Sequence, residues 1–303
     1  MQRFKRVLVN LALDDQDEAL LSYTNKIVGP AKSEKVYAVH LADNLEVPEE
    51  IRSQYQSILE PADEFIAGEI REKIKLRLTA GVDTDVLVIS KHGSALDEIL
   101  RLAVEKDVDL IVVGRRPETK ESGTLAEKLT RTAPCSVLTV PCCTTGDFGK
   151  ILLPLDFTEN AGYAFDVATA WGAALKAKTI FPLCVYNVPA GFHKSGKTHE
   201  QFAAIMEKNA RNEYEKFIKV MDLRGVALEP RFVLGDNIAK TILDEILKTH
   251  AELLVMGTRG RSGGVASLLG TTTERVLSQT DIPLLAVKQK GSGIGLLRML
   301  LEL

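Results

Sequence analysis

Four residues in the second half of the chain have the types and the spacing to bind a phosphate group. Gly257, Gly260, Gly270 and Thr271 form the pattern G-x2-G-x9-G-T, which follows the apolar run AELLVM and leads into the helix-like run TTTERVLSQT. Glycines let the backbone approach an anion closely, and the N–H groups and dipole of a helix start favour negative charge. The pattern therefore predicts an anion site. The alternative is an ordinary βα loop in which glycines serve only tight turns.

The elements that must hold this motif occur twice along the chain. The segment RVLVNLALDDQ near the start matches KILLPLDFTEN, and KDVDLIVVG matches THAELLVMG. GTLAEKLTRTAPCSVLTV likewise matches GTTTERVLSQTDIPLLAV, so that Gly123 and Thr124 stand opposite Gly270 and Thr271. The matching positions Thr124 and Thr271 are 147 residues apart. A repeat of this length predicts two duplicated domains and not a short-period solenoid.

Each half alternates short β-branched runs with helical patterns, which predicts an α/β fold with a parallel sheet covered by helices on both faces. In the second half we expect strands near 150–155, 179–186, 229–234, 252–257 and 283–288, and helices near 159–176, 199–223, 237–249 and 270–280. The turn-rich segment PCCTTGDFG predicts the boundary between domains at 1–144 and 148–290. A short apolar tail at 291–303 is expected to pack on a domain or on a partner subunit.

The opening ILLPLDFTENA, the glycine motif and the closing strand IPLLAVK together resemble the universal stress protein family in its tandem two-domain form. The resemblance extends from about residue 3 to residue 288. It implies two tandem Rossmann-like domains of the adenine nucleotide alpha hydrolase-like type, each with a five-stranded parallel sheet flanked by helices. It also implies ATP or ADP, with or without Mg²⁺, as the ligand of the second domain.

The resemblance implies a role for six positions of the second half. Asp156 matches the acid beside the adenosine, and Val185 matches the residue whose backbone meets the adenine. The ribose and the phosphates would lie against Gly257 and Gly260, and the phosphates at the helix start against Gly270 and Thr271. Taken alone, Asp156 could instead cap the next helix, and Val185 could be an ordinary core residue.

The first half departs from the pattern at three places. Ala12 stands opposite Asp156, Pro117 replaces Gly260, and the loop 114–123 is four residues shorter than its counterpart. Proline has no N–H to donate and fixes φ, which compromises a backbone cradle. We therefore expect the first half to have lost nucleotide binding and to serve as a structural or partner-facing domain.

A second phosphate motif competes with the first. Residues 191–198 read GFHKSGKT, the P-loop pattern, in which Lys197 would reach the β/γ-phosphates and Thr198 would hold Mg²⁺. Three residues separate this loop from its strand, and no later strand ends in the Asp that would complete a metal site. The repeat predicts a variable connection at this point of the chain. An intermediate interpretation, in which the loop overhangs the same strand ends and Lys194 or Lys197 contacts the phosphates, is favoured over a P-loop.

Composition excludes several other classes of protein. The 303 residues carry a formal net charge of −3, which gives no electrostatic footprint for nucleic acid. The apolar runs are shorter than a membrane span, and the N-terminal segment turns acidic too early for a signal peptide. The four cysteines and five histidines show neither a disulfide framework nor metal-ligand spacing, so we expect no metal site of the protein's own and a cytoplasmic location.

These observations favour an ATP- or ADP-binding regulatory protein of the stress response, with the nucleotide in the second domain. No general base with an oriented partner is evident, so we do not expect an enzyme beyond slow ATP hydrolysis. The alternatives are a nucleotide-independent interaction or small-ligand module and, less favoured, a P-loop NTPase. The short final strands CSVLTV and PLLAVK are candidate edges, which predicts domain pairing within the chain and a homodimer.

Overall fold

The computed structural model describes residues 4–42, 56–90, 94–116, 124–142, 144, 146–258 and 269–291, with only the backbone of 56–63 and 90. The described residues form two compact units. Unit 1 comprises those up to residue 144 together with Lys290 and Gly291, and unit 2 comprises those from 146 to 289. The predicted apolar tail lies outside the described residues except for Gly291. Pro117 and Gly123, which the comparison of the two halves used, also lie outside them.

Unit 1 alternates strands and helices along its whole length. Its elements are β1 (Arg6–Leu11), α1 (Gln16–Ala31), β2 (Lys35–Ala42), α2 (Gln56–Arg77), β3 (Asp83–Ser90), α3 (Ala95–Glu105), β4 (Leu110–Arg115), α4 (Leu125–Thr132) and β5 (Ser136–Pro141).

Unit 2 repeats this order. Its elements are β6 (Lys150–Pro154), α5 (Glu159–Ala174), β7 (Thr179–Tyr186), a 3₁₀ helix (Phe192–Ser195), α6 (His199–Ile218), β8 (Arg231–Leu234), α7 (Ile238–Thr249), β9 (Leu253–Gly257), α8 (Thr271–Gln279) and β10 (Leu284–Val287).

Each unit contains a five-stranded sheet in which all described strand pairs are parallel. The strand order is β3-β2-β1-β4-β5 in unit 1 and β8-β7-β6-β9-β10 in unit 2. The order reverses beside the first strand of each unit, between β1 and β4 and between β6 and β9. The predicted α/β fold, with two Rossmann-like parallel sheets, is confirmed, and each unit has the strand-order reversal at which such sheets bind ligands.

Continuous apolar strands explain why helices cover both faces of the unit 2 sheet. Leu152 and Leu153 are adjacent in β6, and both are fully buried although their side chains point to opposite faces. Leu152 packs in a core cluster with residues of α7 and α8, including Ile242 and Val276. On the other face α5 contributes Trp171, which is 2% exposed and lies against Phe148 at a centroid distance of 5.7 Å.

The loop after the first strand has the same unusual backbone in both units. Leu13 follows β1 and Phe157 follows β6, and each has φ of 62°. This left-handed conformation is uncommon for residues other than glycine, asparagine and aspartate. The duplicated sequence has therefore kept a shared backbone path at this loop while the side chains changed.

The largest difference from the expected elements is the end of α6. The periodicity predicts a helix to residue 223, whereas α6 ends at Ile218. Two residues soon after it, Arg224 and Gly225, have φ of 50° and 72°, and the Asp222 carboxylate accepts a hydrogen bond from the N–H of Arg224 at 3.0 Å. Between Ile218 and Arg224, the N–H groups of Val220 and Met221 donate to the carbonyls three residues earlier, so the chain leaves the α-helical path through tighter turns. None of the helices among the described residues combines the length and apolar character needed to cross a membrane.

Candidate functional site

A cavity of about 560 Å³ opens at the carboxyl ends of the unit 2 strands, a size typical of small-molecule sites. Five of the residues predicted from the sequence line it, namely Asp156, Val185, Gly257, Gly270 and Thr271. The sixth, Gly260, lies outside the described residues. The lining comes from β6, β7 and β9, from the loop after β6, and from the helices α5 to α8.

Gly257 ends β9 at a point where the chain passes very close to the start of α5. A Cβ atom at Gly257 would lie 3.1 Å from the carbonyl oxygen of Asn160 and 3.2 Å from its carbonyl carbon. These are backbone atoms and cannot move aside as a flexible side chain would. The glycine therefore allows β9 and α5 to approach at the floor of the cavity.

The glycine at the start of α8 leaves that helix without a side-chain cap. Gly270 is the N-cap residue, with φ −72° and ψ 143°, and it has no side chain to accept a hydrogen bond from the first turn. The Gly270 N–H donates to the Thr258 carbonyl at 2.7 Å, and the Thr273 hydroxyl donates to the Gly257 carbonyl at 3.2 Å. These bonds fix the start of α8 against the end of β9, where its N–H groups and dipole can bind an anion.

Asp156 supports the start of α5 while lining the cavity. One oxygen of its carboxylate, Oδ1, accepts from the N–H of Thr158 at 3.1 Å and from the Thr158 hydroxyl at 2.6 Å. Thr158 is itself the N-cap of α5, and its side chain accepts from the N–H of Ala161. The helix-capping alternative considered for Asp156 is therefore partly right, because Asp156 orients the residue that makes the cap.

Val185 belongs to an apolar wall of the cavity. It is partly buried against the core cluster that contains Ile242 and Met256, and all three residues line the cavity. Its backbone lies in β7, paired in register with Val233 of β8. Ordinary core packing and contact with a flat apolar ligand are both compatible with this position.

Helix α6 forms a wall that the motif analysis missed. Met206, Asn209, Ala210 and Glu213 line the cavity at the spacing of one helix face. Only Ala210 and Tyr214 are buried in this helix, so its sequence looks like a solvated surface helix. The sequence signal that could have identified this wall is a helix face without positive charge, since none of these four residues, spaced i, i+3, i+4 and i+7, is Lys or Arg.

A surface network connects Tyr186, which lines the cavity, to α6. The Tyr186 hydroxyl donates to Glu207 at 3.2 Å, and Arg211 donates to the other oxygen of that carboxylate at 2.6 Å. Hydrogen bonding from Arg211 lowers the pKa of Glu207, whereas burial and then the Glu207 charge raise the pKa of Tyr186. The Arg211 guanidinium also lies 4.3 Å from the centre of the Phe232 ring.

The cavity contains a thiol that stays protonated. Cys184 lines the cavity and is 2% exposed, and burial raises the pKa of its thiol to about 12. Burial also raises the pKa of the neighbouring Tyr214 to about 12. Near neutral pH the Cys184 thiol is therefore not a nucleophile. The acidic residues of the lining are Asp156 and Glu213.

The GFHKSGKT segment uses its own backbone groups in local turns. The N–H groups of Phe192, Lys194 and Gly196 donate to carbonyls within 189–193. Thr198 is the N-cap of α6, in a capping box with Gln201. The hydroxyl that a P-loop would use for Mg²⁺ is thus engaged in capping a helix, and this geometry does not favour a P-loop.

The same segment contacts the face of α6 that continues into the cavity. The Phe192 ring lies 5.5 Å from the His199 ring and 6.3 Å from the Phe202 ring. Phe202 is one turn before Met206 on that face. Lys194 and Lys197 are exposed residues of this segment, and neither of them lines the cavity.

In unit 1 the corresponding positions are occupied by its own side chains. The Gln16 amide donates to the carbonyls of Val140 at 2.9 Å and Arg115 at 3.3 Å, directly over Gly114, where an added Cβ would overlap it. Ala12, opposite Asp156, donates its N–H to the carboxylate of Asp17 at 2.9 Å.

Two ion pairs and a capping box complete this arrangement in unit 1. The Asp17 side chain is fully buried and pairs with Lys73 at 2.9 Å, and Asp14 pairs with Arg116. Thr124 caps α4 in a full capping box, in which Thr124 accepts from the N–H of Glu127 and the Glu127 carboxylate accepts from the N–H of Thr124. The helix start that would face an anion is thus satisfied internally.

Among the residues that the structure describes, no group of three or more His, Cys, Asp or Glu side chains is placed to hold a metal ion.

Comparison with known proteins identifies the class. The sequence profile of the Universal stress protein family matches residues 3–141 and again residues 147–288. The chain belongs to this family and contains two tandem copies of its domain.

Individual relatives agree with this assignment. Universal stress protein MJ0577 of Methanocaldococcus jannaschii is 28% identical over 163 residues, which cover 48% of this chain and 98% of the relative. A universal stress protein of Thermus aquaticus is 32% identical and covers 46% of this chain and 99% of its own length. The crystal structure of a universal stress protein from Archaeoglobus fulgidus has the same fold, with a TM-score of 0.66 at 19% identity, over 95% of this chain and 99% of that one.

Proposed function

We propose that unit 2 binds ATP or ADP in the cavity at its strand ends, and that the protein acts as a nucleotide-dependent regulator of the stress response. The observation that carries the proposal is the start of α8, which has glycine at its N-cap and opens into the cavity. A helix start without a side-chain cap gains stability when an anion occupies it. Membership of the universal stress protein family supports the same function.

The rest of the cavity suits the remaining parts of a nucleotide. The wall of Val185, Ile242 and Met256 is apolar, as a purine base requires. Gly257 and Gly270 both line the cavity, and in this proposal their backbone lies close to the sugar and phosphates. A volume of about 560 Å³ is in the range of sites for molecules of this size. In this proposal Asp156 lies beside the adenosine and Thr271 contributes its N–H and hydroxyl to the phosphates.

The exposed lysines of the GFHKSGKT segment would supply the positive charge that the cavity lining lacks. Among its described residues the lining contains no Lys, Arg or His, whereas Lys194 and Lys197 stand on the segment that packs against α6. We propose that one of them contacts the outer phosphates. Unit 1 binds no nucleotide in this proposal, because Gln16, Asp17 and Thr124 satisfy the groups that a nucleotide would use.

The test is a calorimetric titration of the full chain with ATP and Mg²⁺, with Gly270→Asp as the variant. The backbone of Gly270 is one that an N-cap aspartate adopts, so this change caps α8 and keeps or raises stability. The added carboxylate repels the phosphates, and we expect the affinity for ATP to fall by roughly a hundredfold. Ser94→Asp is the matched control, because it adds the same charge at the N-cap of α3 in unit 1.

One site per chain that is lost in Gly270→Asp and kept in Ser94→Asp supports the proposal. Two sites per chain would contradict the assignment of unit 1. If the protein freed of carried-over nucleotide binds no ATP, the proposal is wrong and a nucleotide-independent interaction module becomes the better interpretation.

A further inference from the structure

The polar residues Asn209 and Glu213 of α6 are a feature of the cavity that the glycine motif does not explain. Glu213 and Asn209 face the cavity from α6, and Asp156 faces it from the loop after β6. Phe157, next to Asp156, contacts Phe217 at a centroid distance of 5.6 Å, and Phe217 is one turn beyond Glu213. This contact holds the Glu213 end of α6 against the loop that carries Asp156.

The charge of this wall decides which part of a ligand it can face. A carboxylate only accepts hydrogen bonds, and it repels phosphate oxygens. The Glu213 side chain is about two-fifths exposed, and its carboxylate pairs with Lys216 at 2.9 Å. The wall therefore suits a neutral group that is rich in hydrogen-bond donors.

Within a nucleotide that group is the sugar. The base has an apolar wall available at Val185 and Ile242, and the phosphates have the start of α8. A ribose presents two adjacent hydroxyl groups, and a carboxylate can accept a hydrogen bond from each. The Asn209 amide can both donate and accept beside them.

Resting on the proposed nucleotide site, we propose that Glu213, with Asn209 beside it, binds the ribose hydroxyls and makes unit 2 selective for ribonucleotides over 2′-deoxyribonucleotides. Glu213 is then a specificity residue outside the glycine motif. Removing one hydroxyl from the ligand leaves the carboxylate with one bond fewer, which is worth about a tenfold loss of affinity or more.

The experiment compares ATP with 2′-deoxy-ATP on the full chain, in the natural sequence and in Glu213→Ala. Glu215→Ala is the matched control, because Glu215 is an exposed carboxylate on the same helix, outside the described lining. We expect the natural chain and the control to prefer ATP by about tenfold or more. In Glu213→Ala the preference should fall to about twofold or less, through weaker ATP binding and not tighter deoxy-ATP binding.

Equal affinity of the natural chain for the two nucleotides overturns this inference and leaves the nucleotide site intact. An undiminished preference in Glu213→Ala also overturns it, since the selectivity then comes from elsewhere. Failure of both nucleotides to bind the natural chain overturns the proposed function and this inference together. The natural-chain comparison needs no variant, so it stands even if Glu213→Ala folds poorly.

Discussion

The strand ends of the two units start from the same fold and differ in what fills them. In unit 1 the Gln16 amide, the Asp17–Lys73 ion pair and the Thr124 capping box satisfy the polar groups of the loops internally. In unit 2 these positions are held by Asn160, Ala161 and the glycine-capped start of α8, beside an open cavity. The difference teaches that side chains of the protein itself can take, in one copy of a fold, the hydrogen bonds that the proposed function assigns to a ligand in the other copy.

The largest effect on this comparison is expected from Asp17→Ala. The Asp17 carboxylate is fully buried, and its removal leaves Lys73 and the N–H of Ala12 without their partner. Because Lys73 is one-third exposed and can turn to water, we expect a loss of about 2–3 kcal/mol in the free energy of unfolding. Urea denaturation measures this loss. Asp15→Ala, at an exposed acid of the same loop, is the control, and an equal loss in both variants would show that the buried pair is not important.

Thr124→Ala and Thr271→Ala are expected to have smaller effects, the first on stability and the second on ATP binding. The Thr124 side chain caps α4, so its removal should lower the free energy of unfolding by about 1 kcal/mol without changing ATP affinity. Thr271 lies inside the first turn of α8, after the Gly270 cap, and is exposed. Its removal should change stability by less than about 0.5 kcal/mol and weaken ATP binding.

Unfolding curves and ATP titrations of the two variants measure both properties. A stability loss in Thr271→Ala equal to that in Thr124→Ala would mean that the two helix starts are capped alike, and the contrast between the units would fail.

The smallest effect is expected from the surface network at the mouth of the cavity. Hydrogen bonding from Arg211 lowers the pKa of Glu207, so the charged form is favoured in the folded protein. The resulting stabilisation is present above the ordinary carboxyl pKa of about 4.3 and is lost as the pH falls through the lowered value. Glu207→Gln should therefore lower the thermal midpoint slightly at pH 7, and the difference from the natural chain should shrink as the pH falls through the lowered pKa of Glu207. A decrease that does not change with pH would point to lost packing and not to lost charge.

The sequence predicts the fold well because the determining signals are local. Buried parallel strands read as apolar runs such as ILLPL, and the repeat shows that whatever fold one half takes, the other takes as well. The glycine spacing also predicts that Gly257 and Gly270 lie at strand ends and at a helix start, since each depends on the backbone nearby.

The capping of the two helix starts could not be predicted in this way. Thr124 and Thr271 each stand three residues before a glutamate, the signature of a capping box in both halves. The structure uses the signature in unit 1, whereas α8 begins one residue earlier, at Gly270. Tertiary hydrogen bonds from Gly270 and Thr273 to the end of β9 accompany this start, and no local pattern encodes them.

The wall on α6 escaped prediction for a related reason. Asn209 and Glu213 sit on a helix that is mostly exposed, where polar residues are the common case. The docking of α6, which includes the contacts of Phe217 with Phe157 and Phe165, turns that face toward the cavity. These contacts join segments far apart in the chain, so they depend on the fold and not on the spacing within the helix.

The left-handed backbone shared by Leu13 and Phe157 restricts which mutations evolution can accept at these positions. Glycine and asparagine tolerate this conformation, whereas valine and isoleucine carry a branched Cβ that collides with the neighbouring backbone. The same residue types are therefore disfavoured at this loop position in both halves of the chain, although the side chains around the two loops differ. At this loop the two halves share the backbone conformation and differ in the polar groups that surround it.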